Sequence, residues 1–75
     1  MDEALAVLVR ALVKQPDAVH IDRHDEGRRL LFVVTVAPDD VGRVVGRNGR
    51  IAKSLRAVMR AAGEREGRQV VVEVK

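Results

Sequence analysis

The sequence predicts an α+β fold in which helices cover one face of a three-stranded mixed sheet. Apolar residues recur at helical spacing near the amino terminus and again after residue 50. Alternating, β-branched runs fill the middle and the carboxyl end. Between two amphipathic stretches lies Val-Val-Gly-Arg-Asn-Gly-Arg-Ile-Ala-Lys, from Val44 to Lys53. The predicted order is helix, strand, strand, helix, glycine loop, helix, strand.

In the first helix Leu5, Leu8, Val9 and Leu12 fall at i, i+3, i+4 and i+7, the pattern of a buried face. Asp2 can cap it, Glu3 and Lys14 suit its dipole, and Pro16 ends it because the residue before proline is pushed out of helical geometry. Val7, Ala11 and Val13 widen the apolar arc, as core or as part of a subunit contact. Val19 and Ile21 alternate with His20 and Asp22 as a first strand. Asp25-Glu26-Gly27 supplies the turn, and Leu30 to Val36 forms the second strand of a hairpin. There Phe32, Val34 and Val36 face the core, while Leu31, Val33 and Thr35 make a second face more apolar than an exposed sheet needs.

Ala37-Pro38-Asp39-Asp40 breaks the strand and opens a short helix with Val41, Val44 and Val45 inward, stopping at Gly46. A longer helix runs from Arg50 to about Glu66, with Ile51, Leu55, Val58 and Ala62 inward and Gly67 as its stop. Val70, Val72 and Val74 then alternate with Val71 and Glu73 as the third strand. The chain returns to this strand through both central helices, which makes the sheet mixed.

Gly46 and Gly49 bracket Arg47 and Asn48 in a tight interhelical loop. Glycine lacks the Cβ that would hold a charged backbone at a distance, and it accepts φ values other residues avoid. The loop also sits at the amino end of a helix, where free N–H groups and the dipole favour an anion. From Val41 to Gly63 there are six basic residues and no acidic one, whereas the rest of the chain carries eight basic against eleven acidic. Clustered charge of this kind is a footprint for a polyanion. A nucleic-acid phosphate is therefore the expected ligand of the loop.

At 75 residues, the chain is expected to form a single domain spanning 1–75, too small to enclose a large active-site cavity. It has no cysteine, so no disulfide or thiolate metal site supplements the core. No run approaches the ~20 apolar residues of a membrane span, and Met-Asp-Glu is not the start of a secretory signal. A cytoplasmic protein with no membrane partner and no cofactor is expected.

The element order, with Gly-Arg-Asn-Gly joining the central helices, resembles a KH domain of the bacterial type (type II), and more closely the small single-domain KhpA family. The family pattern runs from A-P-x-D through V-[IV]-G-[RK]-x-G-R-I-A-K to V-V-V-E. Ala37 to Asp40, Val44 to Lys53 and Val70 to Glu73 match it. The resemblance implies a non-catalytic binder of single-stranded RNA, with the glycine loop on the sugar-phosphate backbone and bases along an apolar groove. It assigns Gly46 and Gly49 to close approach, Arg47 and Asn48 to loop contacts, and Arg43, Arg50 and Lys53 to phosphate attraction. Val45 and Ile51 would floor the groove, while Val36 reads better as core. It further implies an RNA chaperone or post-transcriptional regulator linked to cell elongation and division. The implied assemblies are a homodimer and a pairing with a larger KhpB (Jag)-type KH protein.

Two other readings remain. His20, Asp22 and His24 share one side of a regular strand, as in a metal or acid–base cluster, though two histidines on a hairpin edge read more simply as a solvated face. Alternatively the glycine loop is only a compact corner, with Gly42 and Gly46 serving close helix packing in a protein-interaction module.

Overall fold

The computed structural model describes residues 2–75. The elements are α1 (Asp2–Leu12), β1 (His20–Glu26), β2 (Arg29–Thr35), α2 (Val41–Val45), α3 (Arg50–Arg65) and β3 (Gln69–Val74), and the predicted order is the observed one. The strand order in the sheet is β1-β2-β3. β1 pairs with β2 antiparallel and β3 joins the other side of β2 in parallel, so the sheet is mixed.

The hairpin departs from the sequence reading. Strand β1 runs on through Asp25 and Glu26, and the turn is Gly27-Arg28, with Glu26 paired to Arg29. Gly27 takes φ 75°, which a two-residue hairpin turn needs at its first position to match the twist of the strands. The Asp25 carboxylate accepts the Gly27 N–H at 3.2 Å and so braces the turn from inside the strand.

Leu30, Phe32 and Val34 of β2 and Val70 and Val72 of β3 face the helices, and Phe32 is fully buried at the centre. On the opposite face Val33 is also buried, flanked in register by Asp22 of β1 and Glu73 of β3. A central strand is sheltered by the side chains of both neighbours. Leu31, in register with Val71 on the same face, stays partly exposed.

Two helix faces are also corrected. In α1 Leu5 and Val9 are buried and Leu12 is partly so, but Leu8 is 39% exposed. In α3 the inward residues are Ala52, Leu55, Met59 and Gly63, while Val58 is 52% exposed. The helix is turned about a fifth of a revolution from the face expected at 100° per residue. Gly63 is the reason: a Cβ there would lie 2.3 Å from Val70 Cγ2 and 2.8 Å from the Arg68 carbonyl oxygen. Only a bare Cα lets the helix settle this close to β3.

Asp40 joins the front of α2 to the end of α1. Its side chain is 1% exposed, yet its carboxylate accepts the N–H groups of Lys14 at 3.1 Å and Gln15 at 3.0 Å and pairs with Arg43 Nε at 3.2 Å. The first helix accordingly stops at Leu12, ahead of the expected Lys14, and Asp40 receives the N–H groups of the departing chain. Asp2 opens α1 with its carboxylate turned to Arg23 Nη1 at 3.0 Å.

Gly63→Ala should lose about 1–3 kcal/mol in urea denaturation through overpacking. Gly42→Ala, where an added Cβ meets nothing within 4 Å, should instead gain about 0.5–1 kcal/mol from helix propensity.

The Lys14 N–H, then the Gln15 N–H and the Arg43 charge, hold the Asp40 carboxyl below its ordinary value of 3.8 against the opposing effect of burial. Because the folded value is the lower one, this stabilisation is complete above pH 3.8 and disappears as pH falls through the folded value. In acid titrations followed by circular dichroism, Asp40→Asn should be less stable at neutral pH and should lose less on acidification than the wild type.

Candidate nucleic-acid interface

Gly46 ends α2, its N–H donating to the Gly42 carbonyl oxygen at 2.8 Å. Its φ of 76° and ψ of 172° lie in a region essentially restricted to glycine. The chain then makes one tight turn, Arg47–Gly49, closed by the Gly49 N–H to the Gly46 oxygen at 3.1 Å. Asn48 (φ 57°, ψ 25°) and Gly49 (φ 73°, ψ 16°) are both left-handed, and α3 starts directly from Gly49. Asparagine is among the side chains that tolerate this conformation. The residues between the glycines therefore serve the turn as well as any ligand.

The two glycines differ. At Gly46 a Cβ would come within 2.7 Å of Ile51 Cγ1, whereas at Gly49 it would meet open space. Ile51 folds back under the corner and is partly buried, as is Val45. Gly42 has no such close neighbour, so the Gly42–Gly46 pair is not a helix-packing surface.

Arg47, Asn48, Arg50 and Lys53 are exposed around the corner. Among the described residues, Arg47, Arg50 and Lys53 form no ion pair, while Arg43 is held by Asp40. Three of the four predicted cations thus present uncompensated charge. Val36 is buried in the core.

The structure adds a second region. A groove between α3 and β3 is lined by Arg28, Arg56, Arg60 and Arg68 with Val70 to Val72. Arg56 Nε donates to the Val72 carbonyl oxygen at 3.2 Å along the free edge of the sheet. Arg68 is spoken for by the hairpin turn, where it donates to the Asp25 carboxylate and to the Gly27 carbonyl oxygen. Lys53, Arg56 and Arg60, at i, i+3 and i+7, connect this groove to the glycine corner along one exposed arc of α3. That spacing is legible in the sequence. Arg28 and Arg68 are not, because the parallel pairing of β2 with β3 is what sets their two starts side by side.

Elsewhere, Leu8 and Val58 border an apolar cleft between α1 and α3, with Leu12, Ile51 and Leu55 in its wall. His20, Asp22 and His24 are exposed on the open sheet face, in register with Thr35, Val33 and Leu31. Among the described residues no group of three or more metal-ligating side chains converges, and no helix is long and apolar enough to cross a membrane.

The helix-strand-strand-helix-helix-strand order, the mixed sheet and the glycine corner between α2 and α3 define a KH domain of the bacterial type. The family model described as KhpA/KhpB, KH domain, matches residues 2–74. The chain belongs to the KhpA/KhpB KH-domain family. It is 43% identical over 74 residues to the RNA-binding protein KhpA of Streptomyces coelicolor, covering 99% of this chain and 94% of that one. Identity to the RNA-binding protein KhpA of Clostridium perfringens is 36% over 74 residues, covering 99% of each chain. The Halalkalibacterium halodurans protein of the same name is 42% identical over 67 residues, covering 89% of this chain and 88% of its own. No solved structure gives a significant match.

Gly46→Ala should destabilise the fold more than Gly49→Ala, since the first adds a collision with Ile51 to backbone strain and the second carries strain alone, about 1–2 kcal/mol. Thermal unfolding of the two variants side by side measures the difference.

Proposed function

We propose that this chain is a non-catalytic, cytoplasmic protein that binds single-stranded RNA by its sugar-phosphate backbone. The observation that carries the reading is the glycine corner: Arg47, Arg50 and Lys53 stand unpaired there among the described residues, at the head of the arginine-lined groove along α3. Gly49 allows close approach on its open side, Gly46 makes the turn over Ile51 that presents it, Asn48 contacts the strand at the turn, and Val45 and Ile51 lie beneath it. Arg43 contributes the part of its guanidinium that Asp40 leaves exposed. The names of the relatives, RNA-binding protein KhpA, support the same ligand.

Phe32, the one aromatic residue, is fully buried, so bases have no aromatic side chain on which to stack. Recognition then rests on charge, van der Waals contact and a few hydrogen bonds, which gives weak and loosely selective binding by one copy. In the cell the protein acts as an RNA chaperone or post-transcriptional regulator connected with elongation and division. Two copies, or one copy with a KhpB (Jag)-type partner, would raise apparent affinity through effective concentration.

A second reading, a protein-interaction module with little RNA binding of its own, is favoured by one observation. The large apolar side chains Val7, Leu8 and Val58 are all exposed on α1 and α3, away from the cationic arc.

Charge reversal at the corner separates the two. Arg47→Asp with Asn48→Asp should weaken binding to a single-stranded oligonucleotide by about tenfold or more while circular dichroism stays unchanged. Unaltered RNA retention would favour the interaction module. For the wild type, neutralising three or four phosphates predicts that log K falls with log salt at a slope of about −2 to −3, and a slope near zero overturns the charge assignment.

A further inference from the structure

We propose that Glu64 reads a guanine base at the hairpin end of the groove between α3 and β3, an inference that rests on the RNA-binding reading above. Glu64 lines that groove beside Arg28, Arg60, Arg68 and Gln69. It is exposed and forms no ion pair among the described residues. Nor does the helix account for it. Glu64 falls in the last turn of α3, where the negative end of the dipole disfavours a carboxylate.

The charge pattern divides the groove by function. At the glycine corner every charged side chain that faces solvent is cationic, and a phosphate is welcome there. Arg28, Arg60 and Arg68 around Glu64 attract the phosphates of a strand lodged in the groove, while the carboxylate itself can be met only by hydrogen-bond donors, which a base edge carries and a phosphate does not. An ionised carboxylate offers only acceptors and has two oxygens to fill. On guanine the N1–H and N2–H2 donors are adjacent and match that pair. Adenine and cytosine offer a single amino group there, and uracil a single imino N–H. Arg60, one turn earlier on the same arc, supplies a donor fork of the kind that recognises guanine O6 and N7. Arg68 is already committed to Asp25 and Gly27 and Arg56 to the Val72 carbonyl oxygen, and of the two arginines left in the groove Arg60 shares the arc of α3 with Glu64.

The test is fluorescence anisotropy with the full chain and uridine-rich oligonucleotides carrying one central guanosine, inosine or adenosine, or uridine throughout. Inosine lacks only the N2 amino group. The wild type should prefer guanosine over inosine and adenosine by about tenfold. Glu64→Gln should lose this preference while binding the all-uridine strand at least as tightly. An exposed carboxylate at a helix carboxyl end is not needed for folding, so the variant stays folded.

Two results overturn the proposal while leaving the RNA-binding reading intact. One is a wild type indifferent to the base; the other is a variant that binds every strand more tightly by one common factor, as simple removal of a repulsive charge would cause. If the wild type binds no strand at all, the RNA-binding reading fails and this inference fails with it.

Discussion

The rotation of α3 about its own axis is set where Gly63 lies against Val70. Because a side chain at residue 63 would collide with β3, the helix can come down on the sheet only with this bare Cα beneath it. One contact then partitions the whole helix. Ala52, Leu55 and Met59 are buried, Lys53, Arg56 and Arg60 flank the edge of β3, and Val58 turns outward toward α1. Three of the helix's cations, Lys53, Arg56 and Arg60, share one stripe beside the packed arc, while Arg50 borders the apolar cleft toward α1. Electrostatic organisation on this surface is a consequence of steric fit in the core.

Asp40 holds the other end of the same arrangement. A carboxylate that is nearly inaccessible must find partners, since an unsatisfied buried charge is costly. Here the partners are two backbone N–H groups leaving α1 and the Arg43 guanidinium of α2. The tie joins the first helix to the short helix that delivers the glycine corner, while Ile51 closes that corner from below against Gly46. The corner is thus supported from both sides, and its cations project from a hydrogen-bonded turn.

Much of this was legible along the chain. Element order followed from the change between helical and alternating periodicity, and the corner followed from two glycines bracketing a charged pair. The two helix faces differ from their sequence pattern for one reason. Val58 and Leu8 read as inward because branched apolar residues at helical spacing resemble a core face, and small residues such as Ala52 and Gly63 carry little weight in such a pattern. In this fold, close approach outweighs hydrophobic size. Asp25 and Glu26 read as turn residues from their type, whereas cross-strand pairing keeps them in strand β1.

The sequence by itself determined the elements, their order, the glycine corner and the excess of positive charge around it, because each depends on residues near one another in the chain. Tertiary structure alone decided which face of α3 meets the sheet, that Arg28 and Arg68 join Arg56 and Arg60 across a groove, and that Arg43 is shared with Asp40. Those outcomes depend on parallel strand register and on how closely two backbones can approach, and both arise only when distant segments pack together.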